Sequence, residues 1–266
     1  MAVRAKQPPG NRFGNIFRNI QPWLDSLAIL AWGVLLLKYW LTGKINILLH
    51  PDYVWLAYSS GFFLVGLGLL KLGQIVVQAR SRSRVRQIAN PQHFSLFPPG
   101  WSSTLLLAVA LFGLQFTPQP FASQVALERG VTDTLTLTRS QPQSFRGNTS
   151  PESRSLIDWV RLLNVYPEPD AYTGQKAKVS GFVIHLSSLP ENYLMISRFI
   201  ITCCAADVYP VGLPVKLSGS RNAYAPDSWQ EVQGEVITET LDGRRQLVIK
   251  ATNLKSIPKP ANPYDY

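Results

Sequence analysis

Acidic residues are nearly absent from the first 117 positions. Asp25 and Asp52 stand there against 11 Lys and Arg, a net of +9, while residues 118–266 hold 15 against 14. Nearly all of the net +10 is therefore concentrated in the half richest in apolar residues. A basic nucleic-acid module carries its charge on a folded binding face. Here the charge flanks apolar runs, which fits membrane orientation and excludes nucleic acid as the expected partner. Cysteine is also scarce: the only two are neighbours, Cys203 and Cys204. No local pattern around them marks a catalytic nucleophile, so an enzyme is not expected.

What is present first is a set of uncharged runs. Leu24 to Leu41 carries Asp25 at one edge and Lys38 near the other, and Tyr53 to Leu70 carries no charge. No Asp, Glu, Lys or Arg occurs from Gln87 to Leu127, a stretch that includes the apolar run Trp101 to Phe116. A helical span needs ~20 mostly apolar residues. The first two runs qualify. The third does so if its helix starts near Pro98 or Pro99, or continues to Pro118. Trp23, Trp40, Trp55 and Trp101 sit near the ends, as interfacial aromatics do. Lys38 is expected to snorkel. Ala57 and Gly61, extended by Gly66 and Gly68, suggest a smooth helix-packing face.

The loops differ in basic content. Arg4, Lys6, Arg12 and Arg18 precede the first run, Lys44 alone follows it, and Lys71, Arg80, Arg82, Arg84 and Arg86 follow the second. Positive-inside orientation puts the tail and the second loop in the cytoplasm and everything after Phe116 outside. The Arg80–Arg86 run is also suited to anionic lipid. No small-residue cleavage site follows the first run, so an uncleaved signal anchor is expected. The expected organisation is a basic cytoplasmic tail (1–22) and a transmembrane region (23–117) with spans at about 24–42, 53–71 and 99–117. A linker (118–150) and an extracytoplasmic β-rich domain (151–266) follow.

Within the last part, Ser150 is the expected cap of a helix with Leu156, Trp159, Val160 and Leu163 on one face. Strands are expected at Lys176–His185, Tyr193–Cys203, Leu213–Ser218, Trp229–Glu239 and Gln246–Ile257. Asp242-Gly243 is a hairpin turn, and Gly181 and Gly234 mark bulges or bends. Five short strands suggest a small OB-like barrel, with a β-sandwich as the alternative.

Neighbouring side chains on a regular strand face opposite ways, so Cys203 and Cys204 converge only where the strand breaks. The following Ala-Ala-Asp segment offers that break. Two thiolates and the Asp207 carboxylate suit zinc or another soft or borderline ion, with His185 as the fourth ligand if the first two strands pair. A strained, redox-active vicinal disulfide, two buried structural thiols, and a nucleophilic cysteine served by His185 are the other readings.

Arg198-Phe-Ile-Ile-Thr-Cys-Cys-Ala-Ala-Asp207 adds a further signal. So do Tyr172-Thr-Gly, Val179-Ser-Gly-Phe-Val, Trp229-Gln-Glu-Val-Gln-Gly234, the closing Pro-Tyr, and Thr117-Pro118-Gln-Pro120. Together they resemble the YcgQ-like family of bacterial two-component permease subunits. The resemblance implies a multi-pass protein of the bacterial plasma membrane that works beside a larger permease, with a weak link to zinc homeostasis. It supplies no site residues, so the metal set remains the reading above.

Overall fold

The computed structural model describes residues 12–80, 101–131 and 150–266. The chain divides into two compact units: residues 1–46 with 51–118, and residues 47–50 with 119–266.

The first unit holds α1 (Arg12–Leu41), α2 (Pro51–Arg80) and α3 (Trp101–Gln115). Helix α1 begins at Arg12, so the second half of the expected tail is helical; residues 1–11 lie outside the described residues, as do 81–86 of the arginine run. Ile20–Leu41 and Pro51–Arg80 are long and apolar enough to cross a membrane, and only 22% and 11% of their apolar windows are buried. A core helix of a water-soluble protein would be mostly covered. Here Phe63, Leu70 and Trp101 are among many large side chains left exposed, an area that calls for a lipid or protein cover.

Helix α3 has 15 residues, about 22 Å at 1.5 Å per residue. That is short of the ~30 Å hydrocarbon core, so among the described residues two full-length candidate spans stand where three were expected. Its C-terminal carbonyls meet donors from α1. The Lys38 Nζ donates to the Leu114 carbonyl, and the Tyr39 hydroxyl reaches the carbonyls of Gly113 (2.7 Å) and Phe116 (3.2 Å). The last carbonyls of a helix lack internal partners, and donors from α1 supply them. The expected small-residue face is split. A Cβ on Gly61 would press on Leu37 at 3.0 Å and one on Gly68 on Leu30 at 2.5 Å, whereas Gly66 faces open space.

The second unit holds α4 (Ser123–Arg129), α5 (Leu156–Val165) and strands β1 (Lys176–Ile184), β2 (Tyr193–Ile200), β3 (Tyr209–Lys216), β4 (Trp229–Leu241), β5 (Arg244–Ser256) and β6 (Tyr264–Asp265). They form one six-stranded mixed sheet. β1 pairs with both β4 and β2, and β3 pairs with β2 and, in parallel, with β5. β5 returns antiparallel to β4, so the pairings lead back to β1.

Both faces of β2 are buried. On β2, Leu194 and Ile196 join one apolar cluster with α5, while Tyr193, Met195 and Phe199 join another with Ala126 of α4. This period-two division explains why β2 reads as an unbroken apolar run. Val179 and Val232 are buried on one side, and Phe182, Phe199, Ile201 and Val248 on the other. Asp242 and Gly243 both have positive φ in the β4–β5 turn, the two-residue hairpin pattern expected there. Gly234 lies at the register shift between β4 and β5, where a Cβ would come within 2.2 Å of the Lys250 carbonyl.

Several boundaries differ from expectation. Ser155, not Ser150, caps α5 and forms a reciprocal box with Asp158; Ser150 precedes a separate 3-10 turn. Strand β3 starts four residues early and contains Pro210 and Pro214. Both lie opposite β2, while β5 meets only Val215 and Lys216, so the missing N–H groups remove no ladder bonds on that second edge. The expected linker contains α4, whose Ser123 backbone N–H (2.6 Å) and hydroxyl (2.9 Å) donate to Asp227; residues 132–149 lie outside the described residues.

Candidate metal centre

Strand β2 ends at Ile200, and the chain turns through Thr202–Asp207 before β3 begins. A single carboxylate organises the turn. Asp207 Oδ2 accepts from the Cys203 N–H (2.8 Å) and the Thr202 hydroxyl, and Oδ1 from the N–H groups of Cys204 (3.3 Å) and Thr202 (3.4 Å). Burial works to raise the Asp207 pKa, but these bonds and one from the Cys203 thiol together hold it below the ordinary carboxylate value. Bonds to the charged form favour that form.

The turn breaks strand alternation and brings both thiols to one side. Cys203 is exposed and Cys204 half-buried, with their Sγ atoms 3.7 Å apart. Tetrahedral zinc with Zn–S bonds of about 2.3 Å spaces two sulfurs about 3.8 Å apart. Cys203, Cys204 and Asp207 each have a ligand atom within 4.8 Å of the others. The hydrogen bond to Asp207, then that to Cys204 and partial desolvation, push the Cys203 thiol up to about 12. Nucleophilic attack, thiol exchange and metal ligation all use the thiolate, so each must first displace this proton.

His185 does not join the group. Strands β1 and β2 do pair, as that expectation required, but antiparallel, with Ile184 opposite Met195. This puts His185 beside Leu194 near the start of β2, while the cysteines come after Ile200 at its end, about 20 Å along the strand at 3.3 Å per residue. Its Nε2 lies 2.8 Å from the Tyr224 carbonyl.

Two neighbours escaped the sequence reading. Thr202, directly before the cysteines, ties the turn to Asp207. The other is the connector between α1 and α2. Leu49 forms an antiparallel bridge with Cys204, the His50 N–H donates to the Cys203 carbonyl (3.1 Å), and the Ala205 N–H donates to the Leu48 carbonyl (2.8 Å). No local signal announces so distant a pairing.

This turn and sheet occupy the part of the chain, residues 155–266, that matches the DUF1980 C-terminal domain; residues 24–132 match the DUF1980 N-terminal domain. The chain belongs to the DUF1980 family. UPF0703 protein YcgQ of Bacillus subtilis (strain 168) is 27% identical over 133 residues, 48% of this chain and 46% of that protein. This DUF1980 chain therefore aligns with about half the length of that relative, and it carries the YcgQ-like character that its cysteine motif suggests.

Proposed function

We propose that this protein is a bacterial plasma-membrane subunit whose outer unit binds zinc or another soft or borderline ion through Cys203 and Cys204. Asp207 holds the binding loop in shape. It is a binding module rather than an enzyme. The observation that carries the reading is the sulfur pair at near-tetrahedral spacing, in a turn held by one carboxylate. The test uses the full chain, reduced and in detergent, titrated with Zn²⁺ or Cu⁺ by calorimetry and native mass spectrometry. About one equivalent is expected; no uptake of either ion sinks the proposal. We also read the circuit of strand pairings as the OB-like barrel, and an experimental structure in which β1 lacked either neighbour would refute that.

The proposed topology keeps the tail and the Arg80–Arg86 loop in the cytoplasm and the second unit outside. It is supported by the basic flanks and by the assignment of residues 47–50, the first loop, to the same unit as residues 119–266. Positive-inside orientation assigns both to the outer side. Reporter fusions at Ser83 and Gly147 should report opposite compartments, and the same compartment for both overturns the topology.

The partner is a larger permease, as the family resemblance implies. Within the first unit Lys38 is tied to the Leu114 carbonyl and Asp25 accepts from the Ser103 hydroxyl. Neither charge is arranged as an ion path of the kind intramembrane charges mark. The protein reconstituted alone in vesicles should move no zinc or copper; measurable flux without a partner would defeat this reading.

A further inference from the structure

The metal reading leaves the ion short of protein ligands. Each Asp207 oxygen already accepts two hydrogen bonds from the loop it organises. That carboxylate is committed to shaping the turn and suits an outer role, as groups that orient metal ligands commonly do. His185 is at the wrong end of β2, and His93 lies outside the described residues. Two thiolates alone do not complete a zinc shell, which takes four donors and commonly mixes cysteine with histidine.

Resting on that metal reading, we propose that His50, in the connector between α1 and α2, is the third protein ligand of the ion held by Cys203 and Cys204. With Leu49 opposite Cys204 in the antiparallel bridge, the next residues outward, His50 and Cys203, also stand opposite one another. The backbone bond from His50 N–H to the Cys203 carbonyl fixes that placement. Opposed residues on adjacent strands have Cβ atoms about 4.5–5.5 Å apart, within reach of an ion shared by an imidazole and a thiolate. The ring now stands edge-on to Tyr266 with centroids 4.9 Å apart, and its nitrogens are not in the group of mutually close donor atoms. Recruitment therefore needs a rotation of the His50 side chain, with the backbone bridge unchanged.

The chemistry balances without a redox partner. A divalent ion displaces one proton from each thiol, and both go to solvent. His50 contributes a neutral nitrogen lone pair. A fourth position stays open to water or to a donor from a partner, which suits an ion that must arrive and leave. Binding then pins the connector between the two longest helices to the cysteine turn through a metal bond added to its two backbone bonds.

The test titrates the full chain in detergent, reduced, with Zn²⁺ for affinity and Co²⁺ for the ligand-field spectrum. His50→Ala should lower affinity by roughly 100-fold or more, since outer-shell changes alone cost 10–100-fold, and should alter the Co²⁺ bands. His50→Cys, which restores a metal-binding side chain, should recover most of the affinity; a residue with a purely structural role would show no such rescue. His185→Ala should bind as the parent does. Parent-like affinity in His50→Ala, with binding lost in Cys203→Ser, refutes the role of His50 and leaves the cysteine site standing. No uptake by the parent chain overturns both.

Discussion

Cys203→Ser combined with Cys204→Ser is expected to abolish uptake of Zn²⁺ and Cu⁺ while the sheet stays folded. The apolar clusters do not draw on either thiol, and serine keeps the backbone bonds of the turn. Thiolates select these ions over Mg²⁺ and Ca²⁺, so no oxygen-only remnant should substitute. Asp207→Asn should act differently. It keeps two acceptor sites but loses the charge that gathers the N–H groups of Thr202, Cys203 and Cys204. The expected weakening is about 10–100-fold, the range for a group that orients ligands from outside the shell.

The pH dependence separates the two contributions. The Cys203 thiol, raised to about 12, is protonated throughout the neutral range and must lose that proton to bind. Affinity should therefore fall about tenfold for each unit of pH lowered on account of Cys203 alone. Asp207 is depressed relative to its ordinary value. Its support for the turn is complete above the ordinary carboxylate range and is lost only as pH falls through the lowered value. Weakening between pH 8 and pH 6 thus does not belong to Asp207. An affinity that stays flat across that window would contradict thiolate ligation.

The largest effect on stability is expected from Trp159→Ala. Trp159 is fully buried on α5, edge-on to Tyr172 (6.2 Å between centroids), with the Arg154 guanidinium 4.9 Å from its ring centre. It fills the apolar cluster that α5 shares with one face of the sheet. Removing so large a side chain from a packed site costs ~3–5 kcal/mol, a large part of the stability of an ordinary domain. Tyr166, at the end of the same helix and 62% exposed, makes an internal control. Tyr166→Ala should change stability by roughly 0.5 kcal/mol or less. Denaturant titration read by amide protection in β1–β5 measures both, and equal effects would mean that α5 does not close this core.

Features encoded by short spacing were legible. The apolar face of α5, the Asp242-Gly243 turn, the glycines at close approaches and the meeting of two thiols with Asp207 all follow from residues near one another in sequence. Features set by distant partners were not. His185 looked like a ligand because strand pairing was foreseeable and strand direction was not; antiparallel pairing carries it the length of β2 away. The partner of Lys38, the Leu114 carbonyl, lies 76 residues further on and had no local signal. Prolines at 210 and 214 hid the start of β3, since nothing local showed that its second edge would be nearly unpaired. Two-residue β6 has too little sequence to carry a period at all; it is held by pairing with Phe199 and Ile200.

The placement of residues 47–50 in the second unit has a consequence for biogenesis. The connector leaves the ribosome roughly 150 residues before the cysteine turn that it pairs with, the kind of non-local contact that is slow to form. It must wait, already anchored by a helix on either side, while the rest of the sheet is made. In the proposed topology, a chain whose first two helices inserted in the inverted sense would hold the connector on the opposite side of the bilayer from the sheet. Its cysteine turn would then lack both the Leu49 bridge and the bonds to Leu48 and His50. In that topology the turn is completed only when the first two helices carry the orientation that puts the connector on the side of the sheet.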